Sequence, residues 1–151
     1  MRGVIYYNIN KMSIKKIYTV GCFDYMHHGH EELFELMKSI NDNIVVCIHD
    51  DESIEKLKNL TPKEHQDINQ RIKNIAKYTN DIHVIHSTDP SEILQSVIDK
   101  KLNKNQMLYI RGDDMPNFPG RDIVEQFMNV LFKPYKQGVS STEIRKSLFI
   151  K

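Results

Sequence analysis

The seven residues NIVVCIH at 43–49 constrain the fold of this chain more than any other stretch. The run is short, rich in β-branched residues, and apolar everywhere except its ends. A strand with one wet face alternates apolar and polar side chains, whereas this run does not alternate. It therefore reads as a strand buried on both faces. Such a strand needs covering layers on two sides, and the flanking sequence offers helices to supply them. Residues 29–40 place Leu33, Leu36, Met37 and Ile40 at i, i+3, i+4 and i+7, the apolar stripe of an amphipathic helix.

The rest of the chain repeats this alternation. Residues 16–20 predict a strand running into a turn that contains Gly21. Residues 50–61 are charged and read as loop with some helix. Pro62 suits the opening of a helix reaching to about Tyr78. A strand follows at 82–86, and Pro90-Ser91-Glu92 opens another helix through about Lys101. Residues 106–110 predict a strand, followed by the loop RGDDMPNFPGRD. A helix near 123–127, a strand at 129–132 and a final helix from Ser140 complete the pattern. Strands alternating with helices imply right-handed βαβ units. The expected fold is therefore α/β, a Rossmann-like open parallel sheet with helices on both faces in a single domain. Ligands of such sheets bind beyond the carboxyl ends of the strands. The stretches GCFDYMHHGH, RGDD and KQGVSST each follow a strand and can converge there.

Length and charge narrow the function. The 151 residues suit one domain over 13–151 with an N-terminal extension over 1–12, and Met12-Ser13 is a candidate second translation start. A net charge of +1 with interspersed signs argues against a nucleic-acid binder but says nothing about a local anion pocket. No apolar run nears the roughly 20 residues that cross a bilayer, and the N-terminus lacks the apolar core of a signal peptide. Cys22 and Cys47 make no disulfide framework or paired metal motif, which points to a reducing cytoplasm.

The densest chemistry lies in His27, His28 and His30. A zinc-protease helix needs a second histidine four positions after the first, and Phe34 stands there. Two readings remain beside the favoured one: a zinc site lacking clear partners, and exposed polar residues at a helix start. The favoured reading is a phosphate cradle. A glycine-containing turn after a strand exposes backbone N–H groups, and the positive end of the next helix points at the same spot. His27 and His30, three apart, project from one side of the first turn, and Gly29 leaves the backbone open to a nucleotide.

GCFDYMHHGH resembles the HxGH signature of the cytidylyltransferase-like nucleotidyltransferases, and YIRGDD and KQGVSSTEIRKSL resemble later motifs of that superfamily, in order. The overall pattern is most similar to glycerol-3-phosphate, phosphocholine and phosphoethanolamine cytidylyltransferases. Class I aminoacyl-tRNA synthetases share the histidine motif. Their lysine-rich signature follows it, however, whereas KMSIKK precedes it here, and the chain is too short for them.

The resemblance implies attack by an alcohol phosphate on the α-phosphorus of CTP with loss of pyrophosphate. Adenylyl transfer from ATP, as in flavin-nucleotide synthetases, and a weakened nucleotide sensor are the alternatives. It also implies site roles: His27 and His30 as catalytic donors, with His28 a bystander. Nucleotide contacts fall to Gly21, Cys22, Phe23, Asp24 and Gly29, to Arg111, Gly112 and Asp113, and to Lys136, Gly138, Val139, Ser140, Ser141 and Thr142. The last three also read as an ordinary helix cap. Lys56 and Lys58 are candidate substrate contacts, the competing reading being a solvated loop. Arg121 is another, the competing reading being surface. No metal ligands are assigned, and Mg²⁺ is expected to arrive with the triphosphate, held mostly by phosphates and water. A homodimer is expected. Two departures stand out: Tyr135 replaces an expected arginine, and Arg71 falls about two residues late.

Overall fold

The computed structural model describes residues 13–134. The expectations placed on residues 1–12 and 135–151 lie outside them; these include Tyr135, Lys136, the glycine-to-threonine segment at 138–142, and the final helix. Among the described residues, five strands form one sheet: β1 (Lys16–Gly21), β2 (Ile44–His49), β3 (Asp81–Ile85), β4 (Met107–Gly112) and β5 (Asn129–Lys133). Their spatial order is β3-β2-β1-β4-β5, and every neighbouring pair is parallel. The chain steps outward from β1 through β2 and β3, then returns to the other side of β1 as β4. Connections leaving β1 and β4 therefore diverge, which opens a crevice at their carboxyl ends.

Helices cover both faces: α1 (His28–Ile40), α2 (Asp51–Lys58), α3 (Ile68–Ala76), α4 (Ser91–Val97) and α5 (Arg121–Phe127). Successive strand side chains point to opposite faces, so the core divides in two. Ile17, Val46, Ile48, Leu108 and Ile110 pack with Phe34, Met37 and Ile75 from α1 and α3. Tyr18, Val45, Cys47 and Tyr109 pack with Leu94 and Val124 from α4 and α5. All six residues of β2 are buried, as the non-alternating run requires.

Three boundaries differ from the sequence expectation. The charged stretch after β2 contains a defined helix, α2, whose first turn is capped by the Asp50 side chain accepting from Ser53 N–H at 2.8 Å. It ends at Asn59 in the left-handed conformation. Pro62 opens only a single 3₁₀ turn, Pro62–Glu64, and the helix proper starts at Ile68 behind Asp67. The chain becomes extended at His65, whose buried imidazole sits 2.7 Å from Glu55 Oε2. This contact pulls the backbone inward where a continuous helix would have carried it past. Finally, α4 stops at Val97, because Ile98 turns extended and enters the core. The next residue, Asp99, donates its N–H to the Tyr18 hydroxyl at 3.0 Å.

Candidate active site

The turn between β1 and α1 is unusual in its backbone. Phe23 and Tyr25 have φ of +52° and +46°, the left-handed region that non-glycine residues enter at a cost of about 1–2 kcal/mol each. Packing and hydrogen bonds offset that strain. The Phe23 ring is buried against Phe34 at 5.3 Å between centroids. Arg71 Nη1 donates to the Cys22 carbonyl at 3.1 Å, and Asn74 Nδ2 donates to the Phe23 carbonyl at 3.1 Å. Gln66 accepts from Tyr25 N–H through its side chain and donates its own backbone N–H to Asp24 at 2.8 Å. Two turn carbonyls are thus drawn toward α3, and the turn is held from one side.

His27 caps α1. Its Nδ1 accepts from Gly29 N–H at 3.0 Å, and His30 Nδ1 lies 3.4 Å from His27 N–H, in a reciprocal capping box. A ring nitrogen that accepts carries no proton, so each neutral imidazole bears its proton on Nε2. The two rings lie close and tilted to each other, 3.9 Å between centroids and 32° apart. Burial holds His30 far below the usual range, to about 3, with His27 and Lys58 adding to the effect. Burial likewise lowers His27, helped by Lys58. At neutral pH the pair therefore presents two neutral Nε2–H donors at the start of a helix. A Cβ on Gly29 would sit 2.9 Å from His27 Cε1, so glycine here first makes room for the capping ring. His28 points away to solvent and pairs with Glu32 at 3.0 Å.

The other sequence-assigned residues divide. Gly21 lies at the end of β1, and Gly112 at the end of β4 pairs in register with Lys133. Asp113 N–H donates to the Lys133 carbonyl at 3.0 Å. Arg111 stacks over the Phe118 ring at 4.8 Å and has no carboxylate partner among the described residues. Lys58 contributes its charge to the histidines. Asp24, only 1% exposed, accepts from the Gln66 N–H at 2.8 Å and so ties the turn to the approach to α3. Lys56 pairs along α2 with Glu52 at 2.9 Å. Arg121 pairs with Glu125 and donates to the Pro116 carbonyl at 2.7 Å. Clefts of about 490 and 290 Å³ lie beside the start of α4, and neither is lined by His27 or His30. The smaller one is bordered by Arg121. Among the described residues, no group of three or more His, Cys, Asp or Glu could hold a metal ion.

A family model described as cytidylyltransferase-like matches residues 18–147. The chain belongs to the cytidylyltransferase-like family. It is 29% identical over 138 residues to glycerol-3-phosphate cytidylyltransferase of Bacillus subtilis (strain 168), covering 89% of this chain and 98% of that protein. It is 31% identical over 141 residues to the bifunctional protein HldE of Desulfatibacillum aliphaticivorans, covering 91% of this chain but 27% of that protein. The crystal structure of the lipopolysaccharide core biosynthesis protein from Thermoplasma volcanium GSS1 shares the fold. Its TM-score is 0.57 at 21% identity, over 80% of this chain and 98% of that one. No helix among the described residues is long and apolar enough to cross a membrane.

Within this cytidylyltransferase-like frame, Arg71 is the residue whose role the sequence hid. It is fully buried. Beyond Cys22, it donates to the His49 carbonyl at 2.6 Å and the Gln66 carbonyl at 3.0 Å, and it pairs with Asp51 at 2.8 Å. One guanidinium thereby joins the histidine turn, the end of β2, the start of α2 and the approach to α3. Its contacts are internal. Gln66 and Asn74, which also grip the turn, follow no spacing rule. An Asn or Gln in a polar stretch carries no sign of a partner some 40 to 50 positions away.

Proposed function

We propose that this chain is a cytidylyltransferase that transfers CMP from CTP to a small phosphorylated alcohol and releases pyrophosphate. The observation that carries this reading is the paired Nε2–H donors of His27 and His30, set on a braced turn at the head of α1. An acceptor phosphate is already ionised at neutral pH, so its oxygen attacks the α-phosphorus without a base. A new P–O bond forms, the bond from the α-phosphorus to the bridging oxygen breaks, and pyrophosphate leaves with the charge. Catalysis then consists of aligning two anions and stabilising the charge that develops. Neutral imidazole donors suit this task because they add hydrogen bonds without a fixed charge that would grip the ground state equally. Lys58 supplies positive charge beside them. Bound Mg²⁺ would neutralise triphosphate oxygens and would be held chiefly by phosphates and water. A homodimer belongs to the same reading.

The test is a pyrophosphate-release screen of CTP, ATP, GTP and UTP against phospho-alcohols and FMN. Turnover with CTP and a phospho-alcohol is expected. Turnover with ATP alone discards the cytidylyl assignment, and binding without turnover across the panel replaces it with nucleotide sensing.

A further inference from the structure

Lys133 closes β5 and Glu32 lies in α1, and neither has a role in the chemistry above. The sheet fixes some spans at the crevice and leaves one open. β1 and β4 are hydrogen-bonded neighbours, so the ladder sets the distance between them. The head of α1 is not on that ladder, because residues 22–27 separate it from β1. Arg71, Asn74 and Gln66 hold this turn from the α3 side. The span from the histidines to the segment that ends β4 needs a tie from the other side.

Lys133 supplies that tie. Its backbone pairs in register with Gly112, and its carbonyl accepts from Asp113 N–H at 3.0 Å. Its side chain follows Leu131 in the two-residue alternation, onto the face that α1 covers. There Nζ donates to Glu32 Oε2 at 3.0 Å, across 101 positions of sequence. Glu32 follows His30 by two positions in α1, and its other oxygen, Oε1, lies 3.0 Å from His28 Nε2. The Lys133 and Glu32 side chains are 18% and 25% exposed, so water screens this pair less than it screens one on the open surface. One lysine thus holds the end of β4 through its main chain and the histidine helix through its ammonium.

We propose that Lys133 is a positioning residue which, through Glu32, sets the span between His30 and the segment at 111–113. This rests on the cytidylyltransferase reading and, within it, on a nucleotide role for that segment. In-line transfer needs the α-phosphorus within reach of the His30 donor while the nucleoside is held elsewhere in the crevice. A misplacement of about 1 Å can cost about 10²-fold in rate, so a tie between the two holding points acts on kcat. A lysine that bound phosphate directly would work at least as well with Glu32 neutralised. A lysine that acts through Glu32 would not.

The experiment measures steady-state pyrophosphate release by the full chain with CTP and the best phospho-alcohol of the panel above. The variants are Glu32→Gln, Lys133→Met, their combination, Lys133→Arg and His28→Gln. Glu32→Gln and Lys133→Met should each lower kcat by about tenfold, with the acceptor KM within about twofold of wild type. The urea midpoint should move by less than about 0.5 M, as for a partly exposed ion pair. The combined variant should be no worse than either single one, because both break the same tie. Lys133→Arg, which keeps a cation of similar reach, should retain most of the turnover. So should His28→Gln, which leaves Glu32 Oε2 to Lys133. Full turnover in Glu32→Gln overturns the proposal, even if Lys133→Met is impaired or does not fold. Losses that multiply in the combined variant overturn it too, as does a loss in His28→Gln equal to that in Lys133→Met. In each of these cases the wild type still turns over, so the cytidylyltransferase reading survives. Absence of wild-type turnover with every acceptor defeats both.

Discussion

Replacing Arg71 with methionine should be the most damaging single change available near the turn. The side chain is fully buried and donates to three backbone carbonyls, those of Cys22, His49 and Gln66, as well as pairing with Asp51. Methionine roughly fills the volume and supplies no donor. Asp51, partly exposed, can recover water, but the three carbonyls lose their cationic donor, and each orphaned buried group costs about 1–3 kcal/mol. Three such carbonyls losing their donor together, with partial relaxation around them, put the expected loss at about 3–5 kcal/mol. Against a total stability of about 5–15 kcal/mol the variant should remain foldable but weak. Its melting temperature should fall by about 10 °C, at about 2–4 °C per kcal/mol for a chain of this size. Urea unfolding followed by circular dichroism gives the free energy, and pyrophosphate release gives the effect on the turn. Turnover should fall by more than stability explains at a temperature where the variant is fully folded, because the Cys22 carbonyl is released. A loss under about 1 kcal/mol with normal turnover would refute the account of Arg71 as the fastening of the turn.

His30→Ala should lower kcat by about 10²–10³, by analogy with loss of one preorganised oxyanion donor, and unaltered turnover in the folded variant would sink the assignment. The same histidine makes stability pH-dependent. Its folded pKa of about 3 lies below the unfolded 6.5, so the unfolded state binds more protons between these values and stability falls as pH drops through that window. From pH 7 to pH 5 this group alone should remove about 2 kcal/mol, read as a shift in the urea midpoint that His30→Ala largely abolishes. Gly29→Ala should displace the His27 ring, since the added Cβ meets it at 2.9 Å, and so lower turnover while α1 remains helical by circular dichroism.

The architecture was largely readable along the chain, because burial on two faces leaves a local mark. The run at 43–49 could only be a central strand, and the spacing of Leu33, Leu36, Met37 and Ile40 could only be one helix face. The strands after it, the parallel α/β class and the position of the HxGH turn follow from the same short-range periodicities. The starts of α2 and α3 were less legible, since they depend on the caps Asp50 and Asp67 and on where His65 is pulled inward to Glu55.

The site divides along the same line. His27, Gly29 and His30 are neighbours in sequence, and their capping geometry is a property of one helical turn. Their protonation is not, because it depends on burial and on Lys58, nearly 30 residues away. Lys56 and Lys58 look interchangeable in a charged stretch, yet one pairs with Glu52 and the other acts on the histidines. Arg71 looked like a misplaced motif residue until the fold surrounded it with three carbonyls and Asp51. Local pattern specifies elements and the residue types a phosphate site needs. Which charges are neutralised, which proton sits on which nitrogen, and which arginine is structural depend on groups far apart in the chain, and only tertiary packing brings those groups together.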